Sequence, residues 1–285
     1  MKVYNLKIDN KSKLAIELDN KLYYLDSLGY KINDILNLIE NRIDLRAIDF
    51  NNAEEIRETY KILSPILTPH QDIICVGMNY LEHIDEVVNT PNGIHGGNDD
   101  IIYFSKRANE ILSTNDEIPL NSSITKKLDY EIELAVIIGK DARNISVNNV
   151  KDYIFGFSIF NDISARDLQE KHKQWYCGKS FDGSSIMGPC ILINDGNIDY
   201  NNLSLKTKIN GEIRQENNTK NMIFSVDEII SDLSNKMTLR RGTIIITGTP
   251  SGVGLGFKPP KFLKSGDRIE MEIEKIGKLV NVIGV

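Results

Sequence analysis

The sequence predicts an α+β protein that is mostly β, with a small α+β unit at its N-terminus. Three observations predict it. Short apolar runs recur between turn residues along most of the 285-residue chain, and only a few segments carry helical spacing. The texture also changes near Thr68 to Gln71, where Pro65 and Pro69 punctuate a linker. A small domain over 1–69 and a larger domain over 70–285 follow from that boundary.

Taken in order, the first part reads as strands over Val3 to Ile8, Leu14 to Leu18 and Leu22 to Leu25, then two helical patterns. Asn33 to Ile39 carries apolar residues at helical spacing, and Ala53 to Leu63 does so behind the first-turn acids Glu54 and Glu55. Beyond the linker, strands are expected at Ile73 to Val76, Ile101 to Phe104, Glu131 to Ile138, Ile154 to Phe160, Cys190 to Ile193, Leu205 to Ile209, Thr243 to Thr247 and Arg268 to Ile273. Helices are expected at Asn79 to Val88 and at Ser225 to Asn235, where Ile229, Ile230 and Leu233 share one face. No solenoid-period repeat and no low-complexity segment interrupts the pattern.

Bulk properties exclude several classes. A net charge of −6 without clustered Lys and Arg disfavours a nucleic-acid partner. No stretch approaches the roughly 18 apolar residues of a membrane span, and the alternating N-terminus lacks a secretory h-region, so a cytoplasmic protein is expected. Cys75, Cys177 and Cys190 are odd in number and widely spaced, with no C-x-x-C pair, which fits reduced thiols rather than a zinc or disulfide framework.

The segment with the most chemistry is Asp129-Tyr130-Glu131-Ile132-Glu133-Leu134. Residues two apart on a strand share a face, so Glu131 and Glu133 become neighbouring carboxylates at the rim of the apolar run Ala135 to Ile138. Two such groups raise each other's pKa unless a cation neutralises them, and hard oxygen ligands select Mg²⁺, Mn²⁺ or Ca²⁺ over zinc. The alternative is a solvated strand start. Asp162, closing another apolar strand, would complete three carboxylates, with Arg166 one turn later placed to grip a substrate carboxylate; a helix-entry cap with Arg166 as a surface partner is the competing reading.

Lys179 sits between Trp175-Tyr176 and Phe181, either a snorkelling surface residue or a semi-buried cation serving an anionic substrate. Gly178-Lys179-Ser180 is not a P-loop, because Lys173 stands where that motif needs glycine. His83 and Glu86, three apart, share a helical face; a histidine oriented by a carboxylate can act as a general base, although a surface pair has the same spacing. The run Thr247-Gly248-Thr249-Pro250-Ser251-Gly252-Val253-Gly254 follows a strand, and its amides and the Thr249 hydroxyl could cradle a substrate oxygen; Pro259-Pro260 argues against a dinucleotide site, and a tight loop with no ligand is the alternative.

In this order the pieces resemble the fumarylacetoacetate hydrolase family, most closely its acylpyruvase and oxaloacetate decarboxylase-like branch. The likeness rests on Val76 to His83, Asp129 to Leu134, Asn161 to Gln169, Gly178 to Phe181, Asn210 to Gln215, Met222 to Phe224 and Thr247 to Gly254, and spans about Gln71 to the C-terminus. It implies a mixed β-sheet roll with few helices, usually a homodimer. It also implies metal ligands at Glu131, Glu133 and Asp162, a substrate-side lysine at Lys179, and a catalytic dyad at His83 and Glu86 borne on a lid. Arg166, Gln169 and Thr249 fall on pocket-lining positions. Met78 stands where relatives usually have a basic residue, and Arg107 follows Lys106 where they have proline; both departures bear on substrate choice.

The chemistry this resemblance implies uses Mg²⁺ or Mn²⁺, with Ca²⁺ as a non-native occupant, to stabilise the enolate of a small 2-oxo acid. C–C cleavage, by acylpyruvate hydrolysis or oxaloacetate-type decarboxylation, is the first expectation. A 2-hydroxyhepta-2,4-diene-1,7-dioate isomerase or a related lyase would use the same site. A non-catalytic metal or small-acid binding protein is the alternative of a different class, against which the presence of Lys179, His83 and Glu86 counts.

Overall fold

The computed structural model describes residues 1–45, 48–88 and 100–285. The N-terminal part supplies strands β1 (Lys2–Ile8), β2 (Lys11–Leu18) and β3 (Lys21–Tyr24), helix α1 (Ile35–Glu40) and strand β4 (Lys61–Leu63). Next come β5 (Ile73–Gly77), α2 (Leu81–Val87), β6 (Ile102–Lys106), the two-residue strands β7 (Glu117–Ile118) and β8 (Leu128–Asp129), then β9 (Ile132–Ile138) and β10 (Ile154–Asp162). The chain continues through β11 (Ser164–Ala165), α3 (Arg166–His172), α4 (Tyr176–Lys179), β12 (Ser185–Ile193), β13 (Ser204–Ile209) and β14 (Glu212–Asn218). It ends with α5 (Val226–Lys236), β15 (Ile244–Ile246), β16 (Arg268–Ile273) and β17 (Gly277–Ile283).

The architecture is α+β and mostly β, as the strand pattern implied. One ten-stranded mixed sheet runs β3-β2-β1-β12-β10-β9-β15-β5-β6, with β4 also on β1; a five-stranded sheet runs β14-β13-β16-β17-β7. The N-terminal strands join the large sheet directly, Lys2 and Val3 pairing with Leu192 and Ile191 across the expected boundary.

β9 shows why the sheet is buried on both faces. Leu134, Val136 and Ile138 enter one apolar core with Ile269, Met271 and Ile273 of the smaller sheet and Ile229 and Ile230 of α5. Ala135 and Ile137 enter a second core with Val3, Leu14 and Ile16 and with Ile35 and Leu38 of α1. A strand apolar on every position is what two covered faces require. Period-two geometry then puts Glu133 on the Ala135–Ile137 face, at the end of that second core.

The helix expected over Ala53 to Leu63 does not form. Glu54 and Ile56 bond instead along the β2–β3 hairpin, with Tyr24 N–H donating to Glu54 O at 3.0 Å and Ile56 N–H to Leu22 O at 2.8 Å, and β4 adds to β1. An open strand edge offers this segment backbone partners and burial for Ile56, which outweighs a weak helical propensity. α5 begins with a capping box between Ser225 and Glu228, the donor-satisfying device that its Ser-x-x-Glu sequence encodes.

Leu134→Ala removes a fully buried side chain from the face opposite Glu133 and is expected to cost about 2–5 kcal/mol of stability. Urea unfolding measures that loss, and divalent-metal affinity measured well below the unfolding midpoint is expected to stay within about twofold of the parent.

Candidate functional site

The antiparallel pairing of β10 with β9 sets Asn161 opposite Ile132 and Phe160 opposite Glu133, so the end of β10 delivers Asp162 to the start of β9. Asp162 N–H donates to Glu131 O at 2.9 Å. Carboxylate oxygens of Glu131, Glu133 and Asp162 all lie within 4.8 Å of one another, and all three residues are buried.

Three buried cations surround them. Lys179 Nζ bridges Glu131 Oε2 at 2.7 Å and Asp162 Oδ2 at 2.6 Å. Lys106 Nζ lies 2.8 Å from Asp162 Oδ1 and donates to Ser184 Oγ and to the Lys179 carbonyl. Arg166 Nη1 reaches Glu131 Oε1 at 2.7 Å and Gln169 Oε1 at 3.1 Å, while its Nε holds Asp129 Oδ2 at 2.9 Å. Burial alone would raise Glu131, yet Lys179 and Arg166 hold its pKa down at about 2. Lys179 is itself raised, because Asp162 and Glu131 outweigh the effect of its burial.

Glu133 is different. No cation pairs with it at salt-bridge distance among the described residues; its Oε2 accepts the Gly248 N–H at 2.6 Å. Burial, then the Asp162 and Glu131 carboxylates, push its pKa well above the ordinary range. With Asp129 counted, four acids face three cations here, so full ionisation leaves one negative charge in excess. Three converging hard oxygen donors with an uncompensated charge fit a hard divalent cation.

Above the carboxylates, α2 places His83 in the cavity wall. Its Nδ1 lies 3.2 Å from Glu86 Oε2, and the Gly252 N–H donates to both Glu86 oxygens at 3.0 and 3.1 Å. That engagement leaves Nε2 as the nitrogen free for proton transfer. A Cβ at Gly256 would fall 1.9 Å from Glu86 Oε1, so a glycine there makes room for the dyad. Arg166, Gln169, Lys179 and Thr249 complete the polar lining, and Met78, Val87, Phe104, Trp175 and Leu255 form an apolar wall. Arg166 Nη2 is buried without a hydrogen-bond partner among the described residues, a donor held ready at that wall.

Of the site residues expected from the sequence, His83, Glu131, Glu133, Arg166, Gln169, Lys179 and Thr249 line one cavity, with Asp162 and Glu86 bonded to Lys179 and His83. The capping alternative for Asp162 fails, because α3 is entered at Ala165 with no side-chain cap; the surface alternatives for Arg166 and Lys179 fail on burial, at 4% and 2% exposed. Of the two departures, Met78 lines the cavity, whereas Arg107 turns outward to Asp72 at 3.0 Å. Sequence reasoning missed Lys106, fully buried against Asp162, and Asp129, the partner of Arg166. The available signals were slight: Lys106 ends a strand that carries the adjacent aromatics Tyr103 and Phe104, and Asp129 opens the Asp-Tyr-Glu-x-Glu run.

A buried acidic cluster that could hold a metal ion, a histidine–carboxylate pair and a sheet of this topology are together the arrangement of an enzyme. The chain belongs to the fumarylacetoacetate hydrolase family: residues 72–284 match the model of the fumarylacetoacetate (FAA) hydrolase C-terminal domain. It is 44% identical over 228 residues to the oxaloacetate tautomerase YisK of Bacillus subtilis, covering 79% of this chain and 73% of the relative. A mitochondrial oxaloacetate tautomerase of Rattus norvegicus is 39% identical over 229 residues, covering 80% and 70%. Among solved structures, a fumarylacetoacetate hydrolase from Exiguobacterium antarcticum superposes with a TM-score of 0.88 at 35% identity, covering 100% of this chain and 99% of that one. A 2-hydroxyhepta-2,4-diene-1,7-dioate isomerase from Mycobacterium marinum gives 0.74 at 27% identity, covering 100% and 98%.

The raised Glu133 carries a pH consequence. The folded chain keeps a proton that the unfolded chain releases, so this group's contribution to stability is fully present below the unfolded pKa and is lost as pH rises through the raised folded value. A divalent cation must expel that proton. Titrating Mn²⁺ by calorimetry near neutral pH, in two buffers of different ionisation enthalpy, is expected to show proton release and an affinity that rises with pH; in Glu133→Gln the release disappears.

Proposed function

We propose that the protein is a Mg²⁺- or Mn²⁺-dependent tautomerase that interconverts the enol and keto forms of oxaloacetate or a close 2-oxo acid. The observation that carries this reading is the pair of buried His83 and half-buried Glu86, with His83 lining the same cavity as Glu131, Glu133 and Lys179 of the carboxylate cluster. Two relatives at 44% and 39% identity, both named oxaloacetate tautomerases, support it.

Tautomerisation moves a proton between the C2 oxygen and C3 and shifts the double bond between C2=C3 and C2=O, breaking no σ bond between heavy atoms. Bound to Glu131, Glu133 and Asp162, a divalent cation would lower the energy of negative charge on the substrate's C2 oxygen. His83, oriented through Nδ1 by Glu86, gives or takes the C3 proton at Nε2. Lys179 keeps a permanent positive charge beside that oxygen, because its raised pKa prevents it from acting as a base. Arg166 presents its unpaired Nη2 to a substrate carboxylate, with Gln169 fixing its Nη1 and Thr249 facing the same space. The apolar wall excludes water, which suits a reaction that consumes none.

C–C cleavage, by hydrolysis of an acylpyruvate or decarboxylation of oxaloacetate, is the second reading, supported by a dyad that could equally deprotonate water. A cytoplasmic homodimer is the setting we propose, the first on three unpaired cysteines and the second on the family resemblance.

Loss of enol-oxaloacetate absorbance, followed with and without added metal, is expected to be accelerated by the wild-type protein and not by Glu131→Ala. His83→Ala is expected to lower turnover about 10²- to 10⁴-fold. Metal-dependent release of CO₂ or pyruvate faster than the tautomerisation would replace this reading with C–C cleavage.

A further inference from the structure

Gln215 lies fully buried in β14, between the carboxylate strand and the loop that carries Thr249. Its Oε1 accepts from the Ile132 backbone N–H at 3.2 Å and from the Thr207 hydroxyl at 3.0 Å. Its Nε2 donates to Thr249 Oγ1 at 2.8 Å and to the Pro250 carbonyl at 2.9 Å. Two fixed backbone groups decide which way the amide faces. Turned over, its NH₂ would meet the Ile132 N–H donor to donor, and its carbonyl would meet the Pro250 oxygen acceptor to acceptor.

The orientation has a consequence one residue away. An amide NH₂ cannot accept, so Thr249 Oγ1 is the acceptor in this pair and the hydroxyl proton is left over. No hydrogen bond among the described residues uses that proton, and Thr249 is 4% exposed in the cavity wall with Arg166 and Lys179. We propose that Gln215 is a positioning residue that polarises Thr249 into a hydrogen-bond donor toward an anionic oxygen of the substrate. The inference rests on the site reading above in one respect, that Thr249 faces substrate. It deepens that reading by restricting what can lie there: the oxygens of a 2-oxo acid only accept, and a ligand offering an N–H at that point would meet a proton.

The chain Ile132 N–H, Gln215, Thr249 also ties the single residue between the two glutamates to the substrate-facing hydroxyl. Gln215 touches no carboxylate of the cluster through any of these bonds, so its effect on ligand affinity passes through Thr249. That makes it separable from a structural role.

The probe is oxalate, a dianion with acceptor oxygens only, titrated by calorimetry into Mg²⁺-saturated protein. Thr249→Val is expected to weaken oxalate about ten- to hundredfold, the effect of losing one hydrogen bond to a charged group. Gln215→Glu, whose carboxylate would take the Thr249 proton for itself, is expected to weaken it by a similar factor, and Gln215→Met, which lets the hydroxyl turn, by less. Placed on Thr249→Val, either change at Gln215 is expected to shift oxalate affinity by less than about twofold, although both lower the Tm in either background. Losses that multiply in the double variants would show a general structural role and overturn the inference. Should Gln215→Glu not fold, Gln215→Met applies the same criterion without a buried charge. Unchanged affinity in Thr249→Val would overturn the inference through its premise, while the tautomerase reading is judged separately by enol-oxaloacetate turnover.

Discussion

Placing four carboxylates at the buried end of one sheet is the constraint on which the rest of this molecule depends. Removing an ionised carboxylate from water costs several kcal/mol even after the protein relaxes, and like charges compound the cost. The chain meets it with three buried cations and leaves one acid uncompensated. Lys179, Lys106 and Arg166 come from separate elements, α4, β6 and α3, so those elements are pinned to the β9–β10 pair by charge as well as by packing. Lys106 shows how tight this is: burial and the nearby Lys179 lower its pKa, and only Asp162 among its partners opposes them strongly. The arrangement is poised for an added cation, because Glu133 is where charge compensation is missing.

The glycine-rich loop after β15 answers the same electrostatic demand with backbone. Gly248 N–H serves Glu133, Gly252 N–H serves Glu86, and the N–H groups of Gly254 and Leu255 serve Asp129 at 2.7 and 2.9 Å. Successive amides converging on anions are a recurrent use of such turns. Here the anions sit in three different places: one in the carboxylate cluster, one behind Arg166 and one behind His83. The loop therefore holds the His83–Glu86 pair and the acidic cluster in a fixed relation. Its glycines are needed by contact: at Gly252, with φ near +100°, a Cβ would come within 1.8 Å of the Arg214 carbonyl oxygen.

Much of this was legible in the sequence where one rule governs. β9 could be read from its unbroken apolar run, and the shared face of Glu131 and Glu133 from strand period alone. α5 could be read from Ser225, Glu228 and its apolar spacing. What could not be read depends on partners distant in sequence. β14 is largely polar, Glu212 to Asn218, and is a strand because β13 pairs with it, not because its residues alternate. The segment after Ala53 carried helical spacing and was captured by a strand edge. Lys106 looks like any lysine at a strand end until Asp162, 56 positions later by residue number, is folded against it.

The same physical division explains how one frame can be shared by proteins named for a hydrolase, an isomerase and a tautomerase. The carboxylate end is over-determined: nearly every group in it answers another group's charge, so a substitution there exposes an unpaired ion. The opposite wall is not. Met78, Trp175 and Leu255 contribute contact area and, among the described residues, no ion pair to the cluster, so they can change without that penalty. Met78 is the informative case, an apolar side chain in the cavity wall on a backbone at φ 57°. Among the described residues, the cationic side chains that line the cavity are Arg166 and Lys179, both at the carboxylate end. In the enzyme we propose, a ligand would be held by its oxygens at one end and by shape at the other, and that shape would decide which atom meets His83.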